Sequence, residues 1–225
     1  MPNPNRTLIT FLVDRSGSMH TIKTDVEGGF AAFTEEQRTT TGECLVTLAQ
    51  FNHAYEVTYS WQPLDDLPAL HISPRGRTAL LDAMGRLITD TRSEIENMPD
   101  SERPGTVIIA ILTDGAENAS RAWPWPIVKQ LVEDATNNHD WQFVYLGADQ
   151  DAIEVGARLG IKREQAATYS RGKSRDALTA VSSNVRRYRY DKTLNPQAMM
   201  PEFSDAQRAD IADDCTPHTT QGESP

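Results

Sequence analysis

Three oxygen-bearing side chains in steps of two, Asp14, Ser16 and Ser18, follow directly on the apolar run Leu8–Val13. One carboxylate and two hydroxyls, with no histidine or cysteine among them, are donors suited to a hard divalent cation such as Mg²⁺. A second aspartate, Asp114, ends another continuous apolar run, Thr106–Thr113, in TVIIAILTDGAEN. Between the two, ISPRGRTALLDA places Thr78 after a glycine-containing loop and ahead of a helical stripe. Thr78 has two readings there: a helix cap, for which threonine is a favoured type, or a third hydroxyl ligand.

The elements that must position these residues alternate along the chain. Continuous apolar runs are what strands look like when both faces are buried, as in a parallel sheet. In open α/β sheets, ligands bind outside the carboxyl ends of such strands. Ile22, Val26, Phe30 and Phe33 predict a helix from Met19 to about Arg38, which Gly28 and Gly29 let lie close to a sheet. Cys44–Asn52 and Tyr55–Trp61 read as paired strands, the second alternating through Tyr55, Val57, Tyr59 and Trp61. A helix opened by Thr78 carries Leu80, Ala83, Leu87 and Ile95, and another carries Ile127, Val128, Leu131, Val132 and Ala135. Phe143–Leu146 predicts a third buried strand, Ala152–Leu159 a short helix, and Ala166–Tyr169 an edge strand. Ala177, Leu178, Val181 and Val185 mark a closing helix with a basic end. The expected fold class is α/β, a doubly wound, mostly parallel sheet with helices on both faces and one antiparallel edge strand. Residues 1–190 form the expected domain. Residues 191–225 read as a polar tail, loosely docked or disordered, in which Ser204–Asp214 has the makings of one polar helix capped by Ser204.

Composition narrows the function classes. The chain has 225 residues, enough for one medium domain with a full core. It carries 32 acidic against 22 basic residues, a formal charge of −10, which disfavours nucleic acid as a partner. The two cysteines, Cys44 and Cys215, lie far apart and indicate neither a disulfide framework nor a zinc site. MPNPNRTLIT is not a charged-then-apolar leader, and no segment approaches membrane-spanning length, so the expectation is a cytoplasmic protein without a membrane partner.

Catalytic patterns fit poorly. A phosphotransferase of the haloacid dehalogenase type needs a carboxylate two residues after its nucleophilic aspartate, where this chain has Ser16. Neither Ser16 nor Ser18 sits in a Gly-x-Ser-x-Gly elbow. The segment ATYSRGKS, residues 167–174, ends like a phosphate-binding loop, but Ala167 stands where the first glycine is required, and an ordinary turn with Ser174 capping the next helix is the simpler reading. His20, His53, His71, His139 and His218 are scattered, and His20 near the first loop reads as a surface residue. Trp123 and Trp125 form a Trp-Pro turn that either anchors a partner or, as the simpler reading, covers the sheet edge.

Taken in order, DRSGS at 14–18, GRTAL at 76–80 and LTDG at 112–115 resemble the von Willebrand factor A (vWA) family. The resemblance covers roughly the first 190 residues. It implies that Asp14, Ser16, Ser18, Thr78 and Asp114 together form a metal-ion-dependent adhesion site (MIDAS) for Mg²⁺, Mn²⁺ or Ca²⁺. The function implied is non-enzymatic: capture of a protein partner through its Asp or Glu carboxylate, by analogy in an adaptor of a multi-protein or AAA+ ATPase-linked assembly. The alternative is a metal-dependent hydrolase using the same site to activate water, for which Glu117 is the nearest base in sequence. Arg15, Arg77, Glu117 and Asn118 are expected on the rim, as solvated loop residues or as tuners of partner choice. Asp210, Asp213 and Asp214 are spare carboxylates that could fill the site from the tail.

Overall fold

The computed structural model describes residues 1–212. Its centre is a six-stranded sheet built from β1 (Asn3–Asp14), β2 (Glu43–Phe51), β3 (Tyr55–Pro63), β4 (Pro104–Thr113), β5 (Gln142–Ala148) and β6 (Ala166–Tyr169). The strand order is β3-β2-β1-β4-β5-β6. All neighbours run parallel except β3, which pairs antiparallel with β2 across the tight turn at Asn52–Ala54. The expected doubly wound sheet with one antiparallel edge strand is what the chain forms.

The apolar runs dictate this arrangement. Along β1, Ile9, Phe11 and Val13 enter the core on one face, and Leu8 and Leu12 enter the core on the other. β4 divides its residues likewise, with Ile108, Ala110 and Leu112 opposite Val107, Ile109 and Ile111. A strand with both faces apolar needs helices on both sides. On the first face α1 (Lys23–Arg38) stacks Phe30 and Phe33 edge-on against Phe11, with ring centroids 5.0 and 4.9 Å apart. There α5 (Ser174–Leu194) lies beside α1. The second face takes α2 (Leu80–Glu96), α3 (Trp125–His139) and α4 (Ala152–Arg158).

Several details differ from the sequence expectations. The first helix is split: Gly17–Thr21 forms a 3-10 turn and α1 starts only at Lys23. Gly29 serves a helix–helix contact, since a Cβ there would come 2.8 Å from Leu178 Cδ1 and 3.1 Å from the Arg175 Cα on α5. α5 runs past the expected boundary at residue 190 to Leu194. Beyond it Met200, Phe203 and Ile211 are buried in the core of the α1 and α5 face, and α6 (Asp205–Ile211) docks there with a full capping box between Ser204 and Gln207. Three apolar residues at wide spacing give no periodic signal in sequence, yet all three are buried. The rest of the expected tail, including Asp213 and Asp214, lies outside the described residues.

Candidate metal site

The order β3-β2-β1-β4-β5-β6 reverses direction between β1 and β4. At such a switch point the following connections leave to opposite faces and open a crevice at the carboxyl ends of the strands. Asp14 is the last residue of β1 and Asp114 follows the last residue of β4, so the two aspartates flank that crevice. Both are buried. Asp14 is held on each oxygen: Oδ1 accepts from the Ser16 backbone N–H at 2.6 Å, and Oδ2 accepts from the Thr113 hydroxyl at 2.7 Å. Ser18 Oγ donates to Asp114 Oδ1 at 2.6 Å and lies 3.0 Å from Ser16 Oγ.

Thr78 arrives on a loop stitched to the first one. Gly17 N–H donates to the Gly76 carbonyl at 3.1 Å, and Arg75 N–H to the Arg15 carbonyl at 2.9 Å. Gly76 has φ +77°, a conformation favouring glycine, and a Cβ there would run into the His53 ring. Asn118 fixes Thr78 from the other side, accepting its N–H on Oδ1 and donating its own backbone N–H to its carbonyl, both at 3.0 Å. Thr78 precedes the helix start by two residues, and Ala79 occupies the cap position without any side-chain cap bond. The capping reading of Thr78 therefore does not describe this structure. At Gly115 a Cβ would stand 3.1 Å from Thr78 Oγ1, 3.4 Å from Ser18 Oγ and 3.9 Å from Asp14 Oδ2. Three of the five expected ligand residues thus place oxygens around one small space beside Gly115, where an added Cβ would press most closely on Thr78 Oγ1.

The charge balance of this space is unfavourable as it stands. Burial pushes the Asp14 carboxyl up to about 6, outweighing the hydrogen bonds from Thr113 and Ser16, with Asp114 adding a like charge. Asp114 is raised for the same first reason, opposed by Ser18 and by Arg171. Its Oδ2 is buried and accepts no hydrogen bond among the described residues. Two buried carboxylates with an unused oxygen, faced by hydroxyls, fit a hard divalent cation better than an empty polar pocket. Among the described residues no three His, Cys, Asp or Glu side chains cluster as ligands.

The rim differs from expectation. Arg15 is buried and pairs with Glu56 at 2.7 Å. Glu117 is a scaffold residue: its two oxygens accept from the backbone N–H groups of Leu81, Ala119 and Ser120 and from the Ser120 hydroxyl, at 2.7 to 3.0 Å. Arg77 alone of the four stays exposed with no hydrogen bond through its side chain. Trp123 packs over Gly85 of α2, and Trp125 lies under the Arg158 guanidinium at 3.9 Å. Asp210 stands on α6.

Two residues were not anticipated. Thr113 clamps Asp14, and its only signal was the hydroxyl immediately before Asp114. Arg171 lies in the loop that resembles a phosphate-binding turn, and it reaches the metal crevice, with Nη1 3.7 Å from Asp114 Oδ2. The strand–turn–helix context of that loop is real, but Ser174 Oγ donates to the Arg171 carbonyl at 3.2 Å and caps no helix.

By sequence, no protein-family model matches the chain and no curated protein matches it. Solved structures do match in fold. A pilus adhesin, SpaC from Lactobacillus rhamnosus GG, aligns at TM-score 0.60 and 13% identity, over 83% of this chain and 30% of that one. Proximal thread matrix protein 1 of the mussel byssus, in a form described as having a zinc-occupied MIDAS motif, aligns at TM-score 0.55 and 15% identity, over 83% and 46%. A von Willebrand factor type A protein from Catenulispora acidiphila aligns at TM-score 0.53 and 13% identity, over 80% and 43%. The chain spans less than half the length of each. The architecture of this chain is that of the vWA domain structures.

Proposed function

We propose that the chain is a vWA domain with a working MIDAS, a module that holds a protein partner by the partner's carboxylate through a divalent cation. The observation that carries this reading is the convergence of Thr78, Ser18 and Asp14 oxygens around the space beside Gly115, next to Asp114 Oδ2, which is buried and accepts no hydrogen bond among the described residues. Asp14 and Asp114 would supply charge to the ion, directly or through water, and Ser16, Ser18 and Thr78 neutral oxygens. An ion with so few anionic ligands stays electrophilic and accepts a further carboxylate. All-oxygen donors favour Mg²⁺, with Mn²⁺ and Ca²⁺ as alternatives. The zinc described in the mussel protein's MIDAS supports a divalent ion here without fixing its identity.

A binding role is favoured over hydrolysis by Glu117. The nearest base in sequence spends both oxygens on four hydrogen bonds that hold the 78–81 and 117–120 segments together. It has no free lone pair aimed at a water in the crevice. Among the described residues no helix is long and apolar enough to cross a membrane. The test is affinity capture on the immobilised chain with Mg²⁺, with EDTA, and with Asp14→Ala in Mg²⁺. Proteins retained only by the unaltered chain in Mg²⁺ support the reading. Retention indifferent to both EDTA and the substitution refutes it, and so does metal-dependent turnover of generic phosphatase or esterase substrates.

A further inference from the structure

The chain carries a net charge of −10, yet arginines stand on both sides of the crevice, among the acids Asp114, Asp149 and Asp151. On the β2 side, exposed Arg75 and Arg77 flank Gly76 in the loop that delivers Thr78. Neither forms an ion pair among the described residues, whereas twelve other cationic side chains do. On the β6 side, Arg171 begins the turn after the strand, with its side chain 40% exposed. Its guanidinium spans Asp114 Oδ2 at 3.7 Å, Asp149 Oδ2 at 2.5 Å and Thr21 Oγ1 at 3.4 Å. Asp149, the residue after β5, is in a left-handed conformation, φ +48°, which aspartate tolerates better than most residues.

We propose that the ligand of the metal site is an acidic peptide segment, with a central Asp or Glu at the cation and further carboxylates on both sides. Arg171 takes the one and Arg75 with Arg77 the other. This rests on the metal-bridged reading above and adds the partner's chemistry. The geometry supports it because the two cationic groups lie on opposite sides of the crevice along one sheet edge. Arg171 stays anchored to Asp149 through Nε; a cation beside Asp114 takes over that carboxylate's balance and leaves the Nη edge of the guanidinium, now 3.7 Å from Asp114 Oδ2, to an incoming carboxylate. A nucleic acid is disfavoured, since its long run of phosphates would meet the acidic surface beyond the rim.

The test uses the whole chain with saturating Mg²⁺ and two fluorescent Gly-Ser peptides, one with a single Glu and one with five consecutive Glu, followed by fluorescence polarisation. The five-Glu peptide is expected to bind about tenfold tighter than the single-Glu peptide, given a factor of about two to five for each exposed pair. Arg171→Ala, and separately the double variant Arg75→Ala with Arg77→Ala, should each cut that preference about two- to fivefold. Equal affinity for the two peptides, or a preference unmoved by both variants, overturns the proposal. An oligonucleotide of equal charge binding more tightly than the five-Glu peptide overturns the peptide class. Binding of the five-Glu peptide that survives EDTA and still depends on the arginines refutes the metal-bridged reading while sustaining the cationic rim. Failure of both peptides to bind in Mg²⁺ refutes the two together.

Discussion

Replacing Asp14 by Asn should make the metal-free protein more stable while abolishing its metal binding. Asp14 is fully buried, and its carboxyl is raised from 3.8 to about 6 by that burial. A raised acid pKa means that the native state holds the proton more tightly than the unfolded chain. The charged form is therefore a burden that grows as pH rises from the unfolded value to the folded one and then levels off. With about 1.4 kcal/mol per pKa unit, the burden is about 3 kcal/mol near neutral pH, roughly half that at about pH 5, and under 1 kcal/mol at about pH 4. Asn keeps the shape but only one acceptor, so part of the bonding to Ser16 and Thr113 is lost, at about 1 kcal/mol. The net expected gain is about 1–2 kcal/mol in EDTA at about pH 7.5, or a rise of about 2–8 °C in Tm. The gain should vanish by about pH 4. Adding Mg²⁺ should reverse the ranking, because saturation at a hundred times Kd stabilises the unaltered protein by about 2.7 kcal/mol and the variant not at all. Thermal melts in EDTA and in Mg²⁺ at three pH values decide it. An Asn variant less stable than the parent in EDTA at neutral pH would refute the claim that Asp14 is an uncompensated buried charge.

Other substitutions separate ligand from scaffold. Gly115→Ala places a methyl 3.1 Å from Thr78 Oγ1 and 3.4 Å from Ser18 Oγ, so Mg²⁺ affinity should drop at least about tenfold with a change in Tm of only a few degrees; calorimetric titration and a melt read the two. Thr113→Val removes the hydroxyl that holds Asp14 Oδ2, and should weaken Mg²⁺ binding by about 10–100-fold, with Thr113→Ser restoring most of it. Glu117→Ala strips four hydrogen bonds from the loops around Thr78, and should cost about 2–4 kcal/mol in urea unfolding. Were Glu117→Ala to keep full stability, its scaffold role would be refuted.

The fold was legible in sequence wherever burial is two-sided or periodic. β1 and β4 announce themselves because both faces carry apolar residues, and α2 because Leu80, Leu87 and their neighbours keep helical spacing. Residues with a backbone task were harder to read. Glu117 and Asn118 look like solvated loop residues, yet each bonds to backbone around Thr78, forty residues or so earlier in the chain. Arg171 was hidden for a related reason: its function depends on β6 standing two strands from β4, and strand order is not written in any local pattern. The segment around Met200 and Phe203 gives no period in sequence because its two buried apolar residues stand in polar surroundings. The five expected ligand positions were named from their order along the chain, and the structure brings Asp14, Ser18, Thr78 and Asp114 around one crevice, with Ser16 bonded to Ser18.

The central claim is that Asp14, Ser16, Ser18, Thr78 and Asp114 hold one divalent cation. Isothermal titration of the EDTA-treated chain with MgCl₂ and MnCl₂ tests it most directly, alongside Asp14→Ala and Asp114→Ala. The account predicts one site per chain in the unaltered protein and no measurable site in either variant. Binding of equal affinity in the variants, or none in the unaltered chain with either metal, would contradict it.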